Sequence, residues 1–179
     1  NVDGEIPAGL PEKLEQEDKW ILSALNNTAK AATENLENFD QGLAAQKAYD
    51  FIWDQICDRY IEIAKTRLNS DDIETKHNVL RVLVYVMNGA LKLLHPFMPF
   101  ITEEIYQALP NNEGSIMMSE WPAYKEELNF EKEEKSLDRI FALAKEIRAL
   151  RAQLGAHPTN KTHLIIETPH GDDFQQGLV

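Results

Sequence analysis

Cysteine is almost absent: Cys57 stands alone in 179 residues, so an intrachain disulfide is excluded. No apolar run approaches the roughly 20 residues that a membrane-spanning helix needs. No signal-peptide pattern opens the chain, and a cytoplasmic protein without a membrane partner is expected. Basic charge is scarce too. Eighteen Lys and Arg face 30 Asp and Glu, for a formal net charge of −12 and a pI near 4.8. Such a chain opposes nonspecific binding to polyanions, so any RNA contact has to be local and directed by shape. Catalytic groupings are missing as well. His77, His95, His157, His163 and His170 show no metal-ligand spacing to acidic residues or cysteine, and there is no glycine-rich phosphate loop. Neither a catalytic residue nor a metal site is expected. His95, beside Pro96 at a helix end, reads as a ring bonded to backbone carbonyls, and Cys57, one turn from Trp53, as a small core or near-core residue.

What is present is helix. With 43% hydrophobic residues the chain can bury one sizeable core. Residues 1–16 read as an extended lead-in, because Gly4, Pro7, Gly9 and Pro11 crowd its first part. From Glu17 to Asn38, Ile21, Leu25, Thr28, Ala32 and Leu36 recur at helical spacing, and Gly42 marks a break. From Leu43 to Leu68, Tyr49, Ile52, Trp53, Ile56, Tyr60 and Ile63 predict one buried face of a second helix. Asp71 with Glu74 suggests a capping box for a third, which reaches Leu94. That third helix is apolar nearly all round, which predicts a place at the centre of a bundle. A short helix from Thr102 to Leu109 follows, then a turn at Asn111–Gly114. An extended strap from Ser115 to Pro122 should pack Ile116, Met118 and Trp121 across helix ends. A fourth long helix is predicted from Ser136 to Leu154, with Gly155 as its cap. Residues Thr162–Thr168 have β character, so 156–179 reads as part of a small α/β appendage to a bundle over 17–155.

Two places carry functional readings. On helical geometry Ile61 projects away from the buried face with Asp58, Glu62 and Lys65, beside Arg59. From the residues alone this surface serves equally as an ordinary solvated face or as a platform for unstacked RNA bases. Lys145, Arg148 and Arg151 recur at i, i+3 and i+6, with Lys161 beyond. Most such triplets are solvated faces, yet in so acidic a chain this one is the best candidate for phosphate contact.

Three separated blocks carry a resemblance. They are Leu93-Leu94-His95-Pro96-Phe97-Met98-Pro99-Phe100-Ile101-Thr102-Glu103-Glu104, the stretch from Gly42 to Lys65 containing Cys57-Asp58-Arg59-Tyr60-Ile61-Glu62, and Gly114-Ser115-Ile116-Met117-Met118-Ser119-Glu120-Trp121-Pro122. Together they resemble the helix-bundle anticodon-binding domain of class I aminoacyl-tRNA synthetases, in detail that of the valyl-tRNA synthetase family, over about Glu17 to Thr168. The resemblance implies an all-α antiparallel bundle that recognises the anticodon region of valine tRNA. Arg59, Ile61, Glu62 and Lys65 would be the candidate anticodon contacts. It also implies a parent enzyme that ligates valine to tRNA, with ATP and Mg²⁺ used in a catalytic domain that would be a partner in the same chain. The His-Ile-Gly-His and Lys-Met-Ser-Lys-Ser signatures of that domain are absent here, so this chain alone is expected to be inactive and to need no cofactor. Tyr106 departs from the family's usual tryptophan, and Arg59 from a frequent aromatic. Two other readings are the anticodon-binding domain of an isoleucyl or leucyl relative, and a helical bundle that acts only as a docking scaffold.

Overall fold

A computed structural model describes residues 6–155 together with Ile165 and Glu167. Among them the chain is all-α: α1 (Gln16–Glu37), α2 (Gln41–Asp50), a π-helical segment (Phe51–Tyr60), α3 (Ile61–Leu68), α4 (Ile73–Leu94), α5 (Pro99–Ala108) and α6 (Glu131–Gln153), with short 3₁₀ turns at Ile116–Met118 and Glu126–Leu128. The chain divides into two compact units, Asn1–Glu131 and Lys132–Val179, so most of α6 falls in the second. The strand expected at Thr162–Thr168 and the appendage over 156–179 lie outside the described residues, apart from Ile165 and Glu167.

Core formation in the first unit follows the apolar faces. Trp20, Ile21, Leu22, Leu25, Ala29 and Ala32 of α1 are buried, as are Val79, Val82, Val86, Ala90, Leu91 and Leu93 of α4. α4 packs against α1, α2, α3 and α5, but α1, with nine buried residues against six in α4, is the more buried of the two, contrary to the central place expected for α4. Leu83 and Met87, at the edge of the buried face of α4, are only half-buried. Leu91, Tyr106 and Ile116 form a second cluster where α4, α5 and the following strap meet.

The strap is laid over α1 by polar contacts. Asn26 uses its amide in both directions, donating to the Lys125 carbonyl and accepting from the Lys125 N–H, each at 2.8 Å. Trp121 Nε1 donates to Thr33 at 2.9 Å, and the Phe130 N–H to the Ser23 hydroxyl at 3.2 Å. Ile116 is buried, but Met118 is 87% exposed, and the chain takes a 3₁₀ turn at 116–118 in place of an extended run. The lead-in is held in turn by Arg81, which donates to the carbonyls of Gly9 and Leu10 at 2.9 and 2.6 Å.

Several boundaries differ from the sequence reading for identifiable reasons. The break between the first two helices is at Phe39, which adopts φ 63°, and Gly42 lies inside the first turn of α2. Asp72, not Asp71, caps α4 by accepting from the Glu74 and Thr75 N–H groups. α5 begins at Pro99, whose missing N–H costs nothing at a first helical position. Thr102 is therefore inside the helix and fully buried, its hydroxyl donating to the Met98 carbonyl at 2.8 Å. The same hydroxyl lies 2.7 Å from His95 Nδ1, within hydrogen-bond reach. The expected partner of His95 was a backbone carbonyl; the side chain of Thr102 takes that role. α6 starts at Glu131, five residues before Ser136, where the apolar recurrence first appears.

The largest departure lies in the second helix. Ile61 N–H bonds back to the Ile56 carbonyl, an i→i−5 bond, and the whole segment Phe51–Tyr60 is π-helical. The buried face is Ala44, Ala48, Phe51, Ile56, Tyr60 and Ala64, with a step of five where a straight α-helix would have three or four. Tyr49 and Trp53, expected in the core, are 48% and 50% exposed, and their rings lie 6.1 Å apart. Ile52 and Ile63 are only half-buried.

Candidate nucleic-acid interface

Arg59, Ile61, Glu62 and Lys65 lie where the π-helical segment runs into α3, on one continuous rod. Glu62 and Lys65 are exposed and form an ion pair at 2.5 Å, with side chains 59% and 56% accessible. A pair so exposed contributes little to stability, so both groups can exchange each other for an outside partner at small cost. Arg59 donates to Gln55 Oε1 at 3.2 Å, and Ile61 is half-buried beside these charges. Asp58 is exposed one step along the rod.

Behind this surface sits a group that the sequence reading missed. Asp18 in the first turn of α1 is fully buried. Its carboxylate accepts from the Tyr60 hydroxyl at 2.8 Å, from Arg67 Nη1 at 2.9 Å and from the Glu15 N–H at 3.1 Å. Arg67 also donates to Glu17 at 2.8 Å. Burial works to lower the pKa of the Arg67 guanidinium, but the carboxylates of Asp18 and then Glu17 outweigh it and hold the group above its ordinary value. Burial, and after it the Asp18 carboxylate, pushes the Tyr60 phenol well above its usual range. Arg67 is therefore held as a cationic donor and Tyr60 as a neutral hydroxyl. The available signal was the spacing of Tyr60 and Arg67, seven residues or two helical turns, which places both on one side of α3.

The second candidate set is separate. Lys145 and Arg148 are exposed on α6 and Arg151 is half-buried there, all in the second compact unit. Among the described residues no group of three or more His, Cys, Asp or Glu side chains could hold a metal ion, and no helix is long and apolar enough to cross a membrane.

Residues 18–166 match the family model described as the anticodon-binding domain of tRNA ligase. The chain is 42% identical over 163 residues to a valine–tRNA ligase from Clostridium tetani, covering 90% of this chain and 18% of that protein. It is 46% identical over 148 residues to the one from Clostridium perfringens, covering 83% and 17%. With the valine–tRNA ligase of Thermotoga maritima the identity is 40% over 156 residues, 87% of this chain and 18% of the relative. The chain thus spans less than a fifth of the length of these relatives. From its matched helices and the three sequence blocks they carry, the chain belongs to the family of anticodon-binding domains of tRNA ligases.

Proposed function

We propose that this chain is the part of a valine–tRNA ligase that recognises the anticodon region of valine tRNA, folded as the antiparallel bundle of the class I type. The observation that carries the reading is the surface of α3: Ile61 supplies an apolar seat for an unstacked base, with Glu62 and Lys65 beside it as an acceptor and a donor for base edges. Arg59 borders the same surface. Lys145, Arg148 and Arg151 are the proposed contacts to backbone phosphate, which would position the RNA without reading it. In this reading residues 17–155 act together as the recognition domain, and 1–16 and 156–179 flank it. The ligation itself, with ATP and Mg²⁺, belongs to a catalytic domain of the parent chain, in the cytoplasm, and the chain alone activates no amino acid.

The net charge of −12 works against affinity, so binding by the chain alone is expected to be weak and its preference to lie in the anticodon. Titration with valine tRNA and with the same tRNA carrying a replaced anticodon tests this. Tighter binding of the first is expected. Equal binding of both would refute the recognition role and favour a docking scaffold.

A further inference from the structure

We infer that Asp18, Tyr60 and Arg67 are positioning residues for RNA recognition: one buried carboxylate grips the inner side of α3 at two points and fixes which side chains the helix presents outward. The inference rests on the reading of α3 as the anticodon face.

The grip is needed because apolar packing holds α3 only lightly. Ala64 is the single buried side chain within Ile61–Leu68, and a methyl group sets no particular rotation of a helix about its axis. Tyr60 and Arg67 do set it. Both reach Asp18, at 2.8 and 2.9 Å, from positions two turns apart on the same side. At ~100° per residue, Glu62 and Lys65 fall about 200° and 140° around the axis from Tyr60, on the outward side, with Ile61 at its edge.

Asp18 is itself anchored. It accepts from the Glu15 N–H at 3.1 Å and lies in the first turn of α1, where helix-terminal N–H groups favour an anion. The carboxylate is thus a fixed point in the core to which the rod is tied.

The π-helical run makes rotation a real hazard. Ten residues, Phe51–Tyr60, depart from α-geometry immediately upstream. Any exchange of π for α bonding there turns everything that follows, so Arg59, Ile61, Glu62 and Lys65 would leave their common surface while the chain stayed helical. The tie at Tyr60 closes the π run at the residue where α-geometry resumes.

The test uses the full-length ligase containing this chain, with Tyr60→Phe, Asp18→Asn and, as a control on the reading itself, Glu62→Ala. For each, kcat/KM is measured on valine tRNA and on an anticodon-replaced tRNA, at a temperature where thermal melting shows the enzyme folded. Tyr60→Phe removes one bond and no volume, and it is expected to lower the ratio of the two efficiencies about fivefold. Asp18→Asn should lower it further. A purely structural clamp would lower the melting temperature and leave the ratio at the wild-type value. An unchanged ratio in Tyr60→Phe, with a reduced one in Glu62→Ala, overturns the positioning role and leaves the anticodon reading standing. An unchanged ratio in both removes the reading and the inference with it. Should Asp18→Asn fail to fold, Tyr60→Phe decides alone.

Discussion

Replacing Asp18 by alanine should be among the most damaging single changes in the first unit. The substitution leaves the fully buried Tyr60 hydroxyl without its acceptor, and leaves Arg67, whose side chain is 16% accessible, with Glu17 alone. Breaking one side of a buried ion pair costs ~3–5 kcal/mol, and retention of Glu17 places this case near ~3 kcal/mol. For a unit of this size that corresponds to a fall in Tm of about 10 °C. Tyr60→Phe removes a single bond to a charged acceptor and should cost about 1.5 kcal/mol. The two effects are not independent. In the Asp18→Ala background the tyrosine hydroxyl has already lost its partner, so Tyr60→Phe there should cost nothing, a coupling of about 1.5 kcal/mol. Urea unfolding of the four proteins, with the midpoint and slope fitted separately, gives each term. A cost below ~1 kcal/mol for Asp18→Ala, or an equal cost of Tyr60→Phe in both backgrounds, would refute the account of the clamp.

Two further outcomes follow from local geometry. Phe39 is 88% exposed and holds φ 63°, a conformation that costs an L-residue ~1–2 kcal/mol, so Phe39→Gly should raise stability by about 0.5–1 kcal/mol after the extra freedom of the unfolded glycine is subtracted; a loss of stability would contradict this. The Tyr60 phenol has its pKa raised by burial and by Asp18, so the neutral form favours the folded state: that contribution is whole below pH 10 and is lost as pH rises above it. Absorbance titration should therefore show the same phenolate gain for wild type and Tyr60→Phe until unfolding begins, and an extra ionising group in the native wild type would refute the burial argument.

Apolar recurrence at 3.6 residues was enough to place α1, α4 and α6, because each keeps α-geometry over more than twenty residues. The same rule failed between Leu43 and Leu68. Ten residues there are π-helical, so a strict α-period placed Tyr49 and Trp53 in the core, where Ala44, Ala48 and Phe51 belong. Nothing in the composition of Phe51–Tyr60 announces the change. Phe39 carried no sign of a left-handed turn either, since glycine is the usual residue there and Gly42 stood close by to mislead. As for the candidate site, the exposure of Glu62 and Lys65 was legible from the sequence because both lie within one short stretch of helix. The buried partner of Tyr60 and Arg67 was not, because Asp18 lies 42 residues before Tyr60 and nothing local points to it.

The claim that the outward face of α3 reads the anticodon is tested most directly by aminoacylation with full-length ligase carrying Ile61→Ala or Glu62→Ala, on valine tRNA and on an anticodon-replaced tRNA. A lost base contact costs on the order of 1–3 kcal/mol, so the ratio of the two efficiencies should fall by between about fivefold and more than a hundredfold in at least one variant. A ratio that stays at the wild-type value in both would contradict the account.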